Sequence, residues 1–160
     1  MKGGVAKVQK RLRNQEGFTL VESLVAIALL SLALLTLMAM FTVGGRMVIT
    51  SRQRTEATYL AQVLMERLTN ETLATVAQFN GVDTRNASTF SGTATNGVVS
   101  SWKDQLENGL RNDAFGTVQV ESPAVIDGTP IDGLTRTIVR VFWPSGQSGL
   151  SQVELFLLRR

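Results

Sequence analysis

Cysteine and histidine are both missing from the 160 residues of this chain. Without cysteine there is no disulfide framework and no thiol chemistry. Without histidine the chain lacks the commonest general base and the commonest transition-metal ligand. Neither a nucleophile elbow nor a phosphate-binding loop appears, so the residues point away from an enzyme, and no cofactor or metal is expected. Charge is missing where its absence matters most. From Leu24 to Val43 twenty consecutive residues carry none, and none of the three prolines falls among them.

What is present explains those gaps. Hydrophobic residues make up 44% of the chain, and the surplus is gathered at one end. A helix over Leu24–Val43 rises about 30 Å, enough to cross the hydrocarbon core of a bilayer. The length of the chain leaves room for one span and a polar domain of about a hundred residues. The calculated pI of 9.8 suggests nucleic acid at first sight, but the charge is unevenly placed. Residues 1–17 hold Lys2, Lys7, Lys10, Arg11 and Arg13 against Glu16, a net of +4, whereas the remainder holds eleven Lys/Arg against twelve Asp/Glu, a net of −1. No basic stripe with interleaved aromatics follows the leader, so the main domain is not expected to bind nucleic acid.

Three readings compete for residues 1–43. A cleaved secretory signal has an apolar core of about 7–15 residues and a small-x-small exit; this run is longer and no such exit precedes Gly44-Gly45. A plain signal anchor fits the length and the positive-inside rule, with Met1–Glu16 cytoplasmic. It leaves Gly17 and Glu22 unexplained, because a lone carboxylate in a span is costly and such residues tend to be functional. The third reading covers both. Gly17-Phe18-Thr19-Leu20-Val21-Glu22, behind a basic leader and ahead of the uncharged run, resembles the class III signal of type IV pilins and pseudopilins.

The resemblance implies that a prepilin peptidase cuts between Gly17 and Phe18 on the cytoplasmic side and methylates Phe18. Glu22, fifth in the mature chain, then takes the position of the family's glutamate, and with Thr19 is expected to serve assembly and register. The physical logic is independent of the name. Cutting creates a cationic amine, and when apolar helices bundle, that amine and a carboxylate are each unfavourable alone and tolerable as a pair. Implied partners are other pilin subunits, the peptidase, the inner-membrane assembly platform and, before assembly, membrane lipid. The expected location is a single pass in a bacterial inner membrane, with the C-terminal domain periplasmic, followed by the pilus or cell surface.

Beyond the span the organisation follows from periodicity. Residues 18–45 form the apolar half of a long helix, and Gly44-Gly45 are expected to loosen it, since glycine in a helix costs about 1 kcal/mol relative to alanine. The amphipathic half occupies 46–79, where Ala57, Leu60, Ala61, Leu64 and Leu68 recur every three or four residues. Residues 80–160 form the globular part. Within it, 80–97 reads as a long polar loop, mobile or partner-facing, and Ser100 or Ser101 is expected to cap a short helix carrying Trp102, Leu106 and Leu110 on one face.

Strands are expected at Gly116–Ser122, Leu134–Trp143 and Ser151–Leu158 from their alternation, with turns at Asp127-Gly128, Asp132-Gly133 and Pro144-Ser145-Gly146. In Leu134–Trp143 the face of Thr137, Val139, Val141 and Trp143 opposes that of Arg136 and Arg140. Asp127 and Asp132 lack the ligand density of a calcium loop and read as turn residues. The sequons at Asn70 and Asn86 carry no assigned role. Phe156 and Leu158 read equally as core or as a subunit contact.

The expected fold class is α+β and pilin-like: a long N-terminal helix, its apolar half transmembrane, packed on a small antiparallel sheet. The passage from Trp102 through Leu106 and Leu110 to Gly116 and Val118 is similar to PilV-type minor pilins and to the I-type pseudopilin of type II secretion. Three functions stay open: a minor pilin, a pseudopilin, and a single-span membrane-anchored binding domain that does not polymerise.

Overall fold

The computed structural model describes residues 19–91, 95–145 and 149–160. Helix α1 runs from Leu20 to Asn70, and the chain divides into two units, Met1–Arg46 and Met47–Arg160. The described part of the first unit contributes no buried residue. The helix is continuous through Gly44-Gly45, so the expected loosening does not occur. The penalty is only about 1 kcal/mol per glycine, and the space where their side chains would sit is open.

In the second unit α1 presents the expected stripe. Ala57, Leu60, Ala61, Leu64 and Leu68 are the helix's buried residues, one i, i+3, i+4 face. The helix ends earlier than the expected 46–79 segment. Thr72 Oγ1 accepts the backbone N–H of Thr75 and caps a separate short helix α2, Leu73–Ala77. Arg159 donates to the carbonyls of Thr69 and Glu71, placing a cation where the helix dipole favours one.

The main sheet is antiparallel with order β1-β2-β5-β6: Val82–Asp83, Phe115–Glu121, Thr135–Ser145 and Gly149–Arg159. The three expected strands are its three long members. Between β2 and β5 lies an unforeseen hairpin, β3 (Ala124–Ile126) with β4 (Thr129–Ile131), reached through a cis Ser122–Pro123 peptide. Its two-residue turn is Asp127-Gly128, both at positive φ, the geometry of a type I′ turn for which Asp-Gly is suited. Leu134 N–H bonds the carbonyl of Ile131 around Asp132-Gly133. Pro144 and Ser145 do not turn: they stay in β5 opposite Leu150 and Gly149, and Gly146 lies outside the described residues.

Alternation puts Val118 with Val139, Val141 and Trp143 on the inner face, in one core with the α1 stripe and with Val99, Trp102 and Leu106 of helix α3, Asn96–Gly109. That helix begins before Ser100 and Ser101, so neither caps it; Ser100 instead donates to Asn96 Oδ1. Segment 80–97 is not a simple loop. It supplies β1, a 3-10 turn at Ala87–Thr89 capped by Asn86, and the buried Val82, Thr84, Phe90 and Thr95. A buried Leu or Val side chain contributes about 1.5–3 kcal/mol, and these positions are spread over every layer.

One close approach fixes α3 against the sheet. Gly116 leaves room for the indole of Trp102, whose Cη2 lies 2.1 Å from where a β-carbon would stand. Trp102 Nε1 donates to the Leu60 carbonyl at 3.0 Å in the interior. Gly116 N–H in turn donates to Thr84 Oγ1 at 3.0 Å. The tryptophan thus ties helix α3 to α1, while the glycine lets β2 pass beneath it.

Candidate processing and assembly segment

The cleavage-site residues Gly17 and Phe18 lie outside the described residues. Thr19 and Glu22 lie inside them, and the structure brings them together. Thr19 Oγ1 accepts the backbone N–H of Glu22 at 3.2 Å, and the Thr19 carbonyl accepts Ser23 N–H at 3.1 Å. Thr19 is therefore the N-cap of α1 and Glu22 its third residue. The string Thr-x-x-Glu is the capping-box pattern, a signal present in Thr19-Leu20-Val21-Glu22 and absent from the periodicity argument. Glu22 also sits in the first turn, where the helix dipole favours a negative charge. The carboxylate is exposed and so available to a partner from outside the chain.

Below this cap the helix is apolar on every side. Leu24, Val25, Ile27, Leu29 and Leu30, which point all round the helix, are exposed, and α1 contains a stretch long and apolar enough to cross a membrane. The hydroxyls within it close on their own backbone. Ser31 donates to the Ile27 carbonyl at 2.8 Å, Thr36 to Leu32 at 2.7 Å and Thr42 to Met38 at 2.9 Å. Such bonding satisfies a hydroxyl where water is absent.

Among the described residues no group of three or more His, Cys, Asp or Glu gathers to hold a metal. Asp127 serves the hairpin turn. The outer sheet face is laced by ion pairs, Arg140 with Glu154 and Arg136 with Glu121, beside the stacked rings of Phe115 and Phe142, centroids 4.7 Å apart. The Arg85 guanidinium stands 3.8 Å over the Phe115 ring and pairs with Asp83 at 2.6 Å. Its hydrogen bonds hold the Asp83 carboxyl below the usual carboxylate range, against the opposing effect of partial burial, and the same partner raises Arg85. Phe156 and Leu158 are exposed on this face, 67% and 43%, so they are not core of this chain.

A family model described as the prokaryotic N-terminal methylation motif matches residues 12–38, which include Gly17, Phe18, Thr19 and Glu22. No curated protein and no solved structure matches the chain. The motif supports a type IV pilin-like or pseudopilin precursor processed by prepilin peptidase, and its carriers are structural rather than enzymatic. With the one helix among the described residues that is long and apolar enough to cross a membrane, it fits a membrane-anchored precursor.

Proposed function

We propose that the chain is a minor pilin, cut after Gly17, methylated on Phe18 and built into a type IV pilus or the complex that primes one. The observation carrying this reading is the methylation motif placed at the head of a helix whose first half is apolar on every side. In the precursor, residues 1–17 are cytoplasmic, the apolar half of α1 spans the inner membrane, and the C-terminal domain is periplasmic. The partners are the peptidase, the inner-membrane assembly platform and other pilin subunits meeting this chain through α1.

Thr19 and Glu22 then have joint work. The cap starts the helix immediately after the new N-terminus, and the exposed carboxylate meets the amine of a neighbouring subunit, fixing axial register. A desolvated pair of this kind is better suited to register than to net stability. The pseudopilin of type II secretion is the second reading, because it shares the motif.

Co-expression with a prepilin peptidase tests the proposal. Wild type is expected to lose the seventeen-residue leader and to carry a methyl group on Phe18 by mass spectrometry. Gly17→Glu is expected to persist as the full precursor. Processing of that variant at the wild-type position and rate would exclude the assigned cut site.

A further inference from the structure

Between the uncharged run and the first core residue, Ala57, lies a segment of α1 that the chain itself does not cover. Met47, Val48 and Ile49 are exposed by 67%, 69% and 61%, and Arg52 and Arg54 are also exposed. Three consecutive apolar residues point about 100° apart around a helix, and two arginines two positions apart point about 200° apart. Neither group makes a face. A protein partner docking from one side would leave half of these residues in water. A medium that surrounds the helix, apolar below and anionic above, would satisfy all five.

The order along the chain matches such a medium. Arg46 closes the uncharged run, the apolar trio follows it, and Arg52 and Arg54 come one to two turns later. Helical side chains lean toward the helix N-terminus, so Arg52 and Arg54 reach back over the trio, and their stems cover apolar surface while the guanidinium groups stay in a polar layer. The nearest acidic residue, Glu56, follows Arg52 by four positions, and its carboxylate is turned toward Gly109. Arginine recognises phosphate through its planar donor fork.

We infer that Arg52 and Arg54 bind the phosphates of anionic phospholipids in the leaflet facing the globular unit, drawing Met47–Ile49 into the interface. The inference rests on the reading of α1 as a membrane span and adds a lipid-dependent setting of its depth. Leaving the bilayer for a filament then requires release of these headgroups, so the lipid composition of that leaflet tunes how readily the subunit is extracted. Each arginine near an anionic surface shifts such an equilibrium about fivefold.

Because the chain has no cysteine, one substitution places a probe cleanly. The full chain carrying Ile49→Cys, labelled with an environment-sensitive fluorophore, is reconstituted in phosphatidylcholine vesicles and in vesicles of phosphatidylcholine and phosphatidylglycerol in equal parts. Acrylamide, an uncharged quencher, reads exposure of the probe. The expected result is a severalfold fall in quenching in the anionic vesicles, reversed by about 0.5 M salt. Arg52→Gln/Arg54→Gln is expected to lose the difference and Arg52→Lys/Arg54→Lys to keep most of it. A probe at Tyr59→Cys, about 15 Å further along the helix, is expected to be indifferent to lipid.

Equal quenching of the Ile49 probe in both vesicles, or an undiminished difference in the double glutamine variant, overturns the inference. Failure of the span itself is a separate result: the protein would then be stripped from both kinds of vesicle by alkaline carbonate.

Discussion

Residues 20–46 and 47–70 belong to one helix and are equally well formed, yet the first stretch buries nothing and the second buries five side chains on one face. Charge already separates them: none falls between Leu24 and Val43, whereas Arg52, Arg54, Glu56, Glu66 and Arg67 lie in the second stretch. Periodicity shows what each one needs. Apolar residues on all sides require a surrounding apolar medium, whereas apolar residues every three or four positions require one neighbour and leave the rest to water. One continuous backbone can therefore serve two kinds of surroundings, and the change is written in the charge and the spacing of its side chains.

That contrast can be broken deliberately, with the unfolding of the full chain in detergent micelles as the readout. Both tryptophans are buried in the globular unit, so their fluorescence reports that unit alone. The largest loss is expected from Gly116→Val. Its β-carbon would stand 2.1 Å from a ring carbon of Trp102, and overpacking of this kind costs about 3 kcal/mol or more. Leu64→Ala, at a position 2% exposed, is expected to cost about 3 kcal/mol through lost transfer energy and a cavity. Leu32→Ala, made on the same helix at a position 66% exposed, is expected to leave the tryptophan transition where it was. Equal effects of the two leucine substitutions would erase the distinction between the halves.

A smaller effect is expected at Asp83. Its folded carboxyl titrates below the ordinary range because Arg85 bonds the charged form. The pair thus stabilises the fold above the unfolded value near pH 4, and that contribution disappears as the pH falls through the lower folded value. Wild type and Asp83→Asn should therefore differ in melting temperature near neutral pH and converge as the pH falls through the lowered folded value; a gap that widens on acidification would contradict the assignment. The smallest effect on the globular unit, none, is expected from Glu22→Ala. In the same cells that variant should insert in the membrane and be processed, yet be depleted from sheared filaments. Normal incorporation would exclude the register role.

The sequence made the helix, its stripe and the three long strands legible because each rests on a period long enough to read. Thr137, Val139, Val141 and Trp143 are buried as their alternation requires. What escaped was held by single contacts. Val82–Asp83 becomes a strand only because Gly116–Val118 offers an edge. The α1–α2 break depends on one hydroxyl of Thr72. The β3–β4 hairpin is three residues a side, too short to show a period, and its Asp-Gly was legible only as a turn. At the candidate site the order was reversed: the motif was plain from Gly17 to Glu22, whereas the hydrogen bond from Glu22 to Thr19 needed coordinates.

The hydroxyls of Ser31, Thr36 and Thr42 carry a further consequence. Each is turned inward onto a carbonyl one turn back, so the helix meets its surroundings there with hydrocarbon and no unanswered polar group. Such a surface has no preferred side and asks nothing specific of what touches it. Under the proposed function such a rod would rotate, slide and exchange lipid tails for other helices without breaking a bond of its own. Any selectivity must then come from its ends.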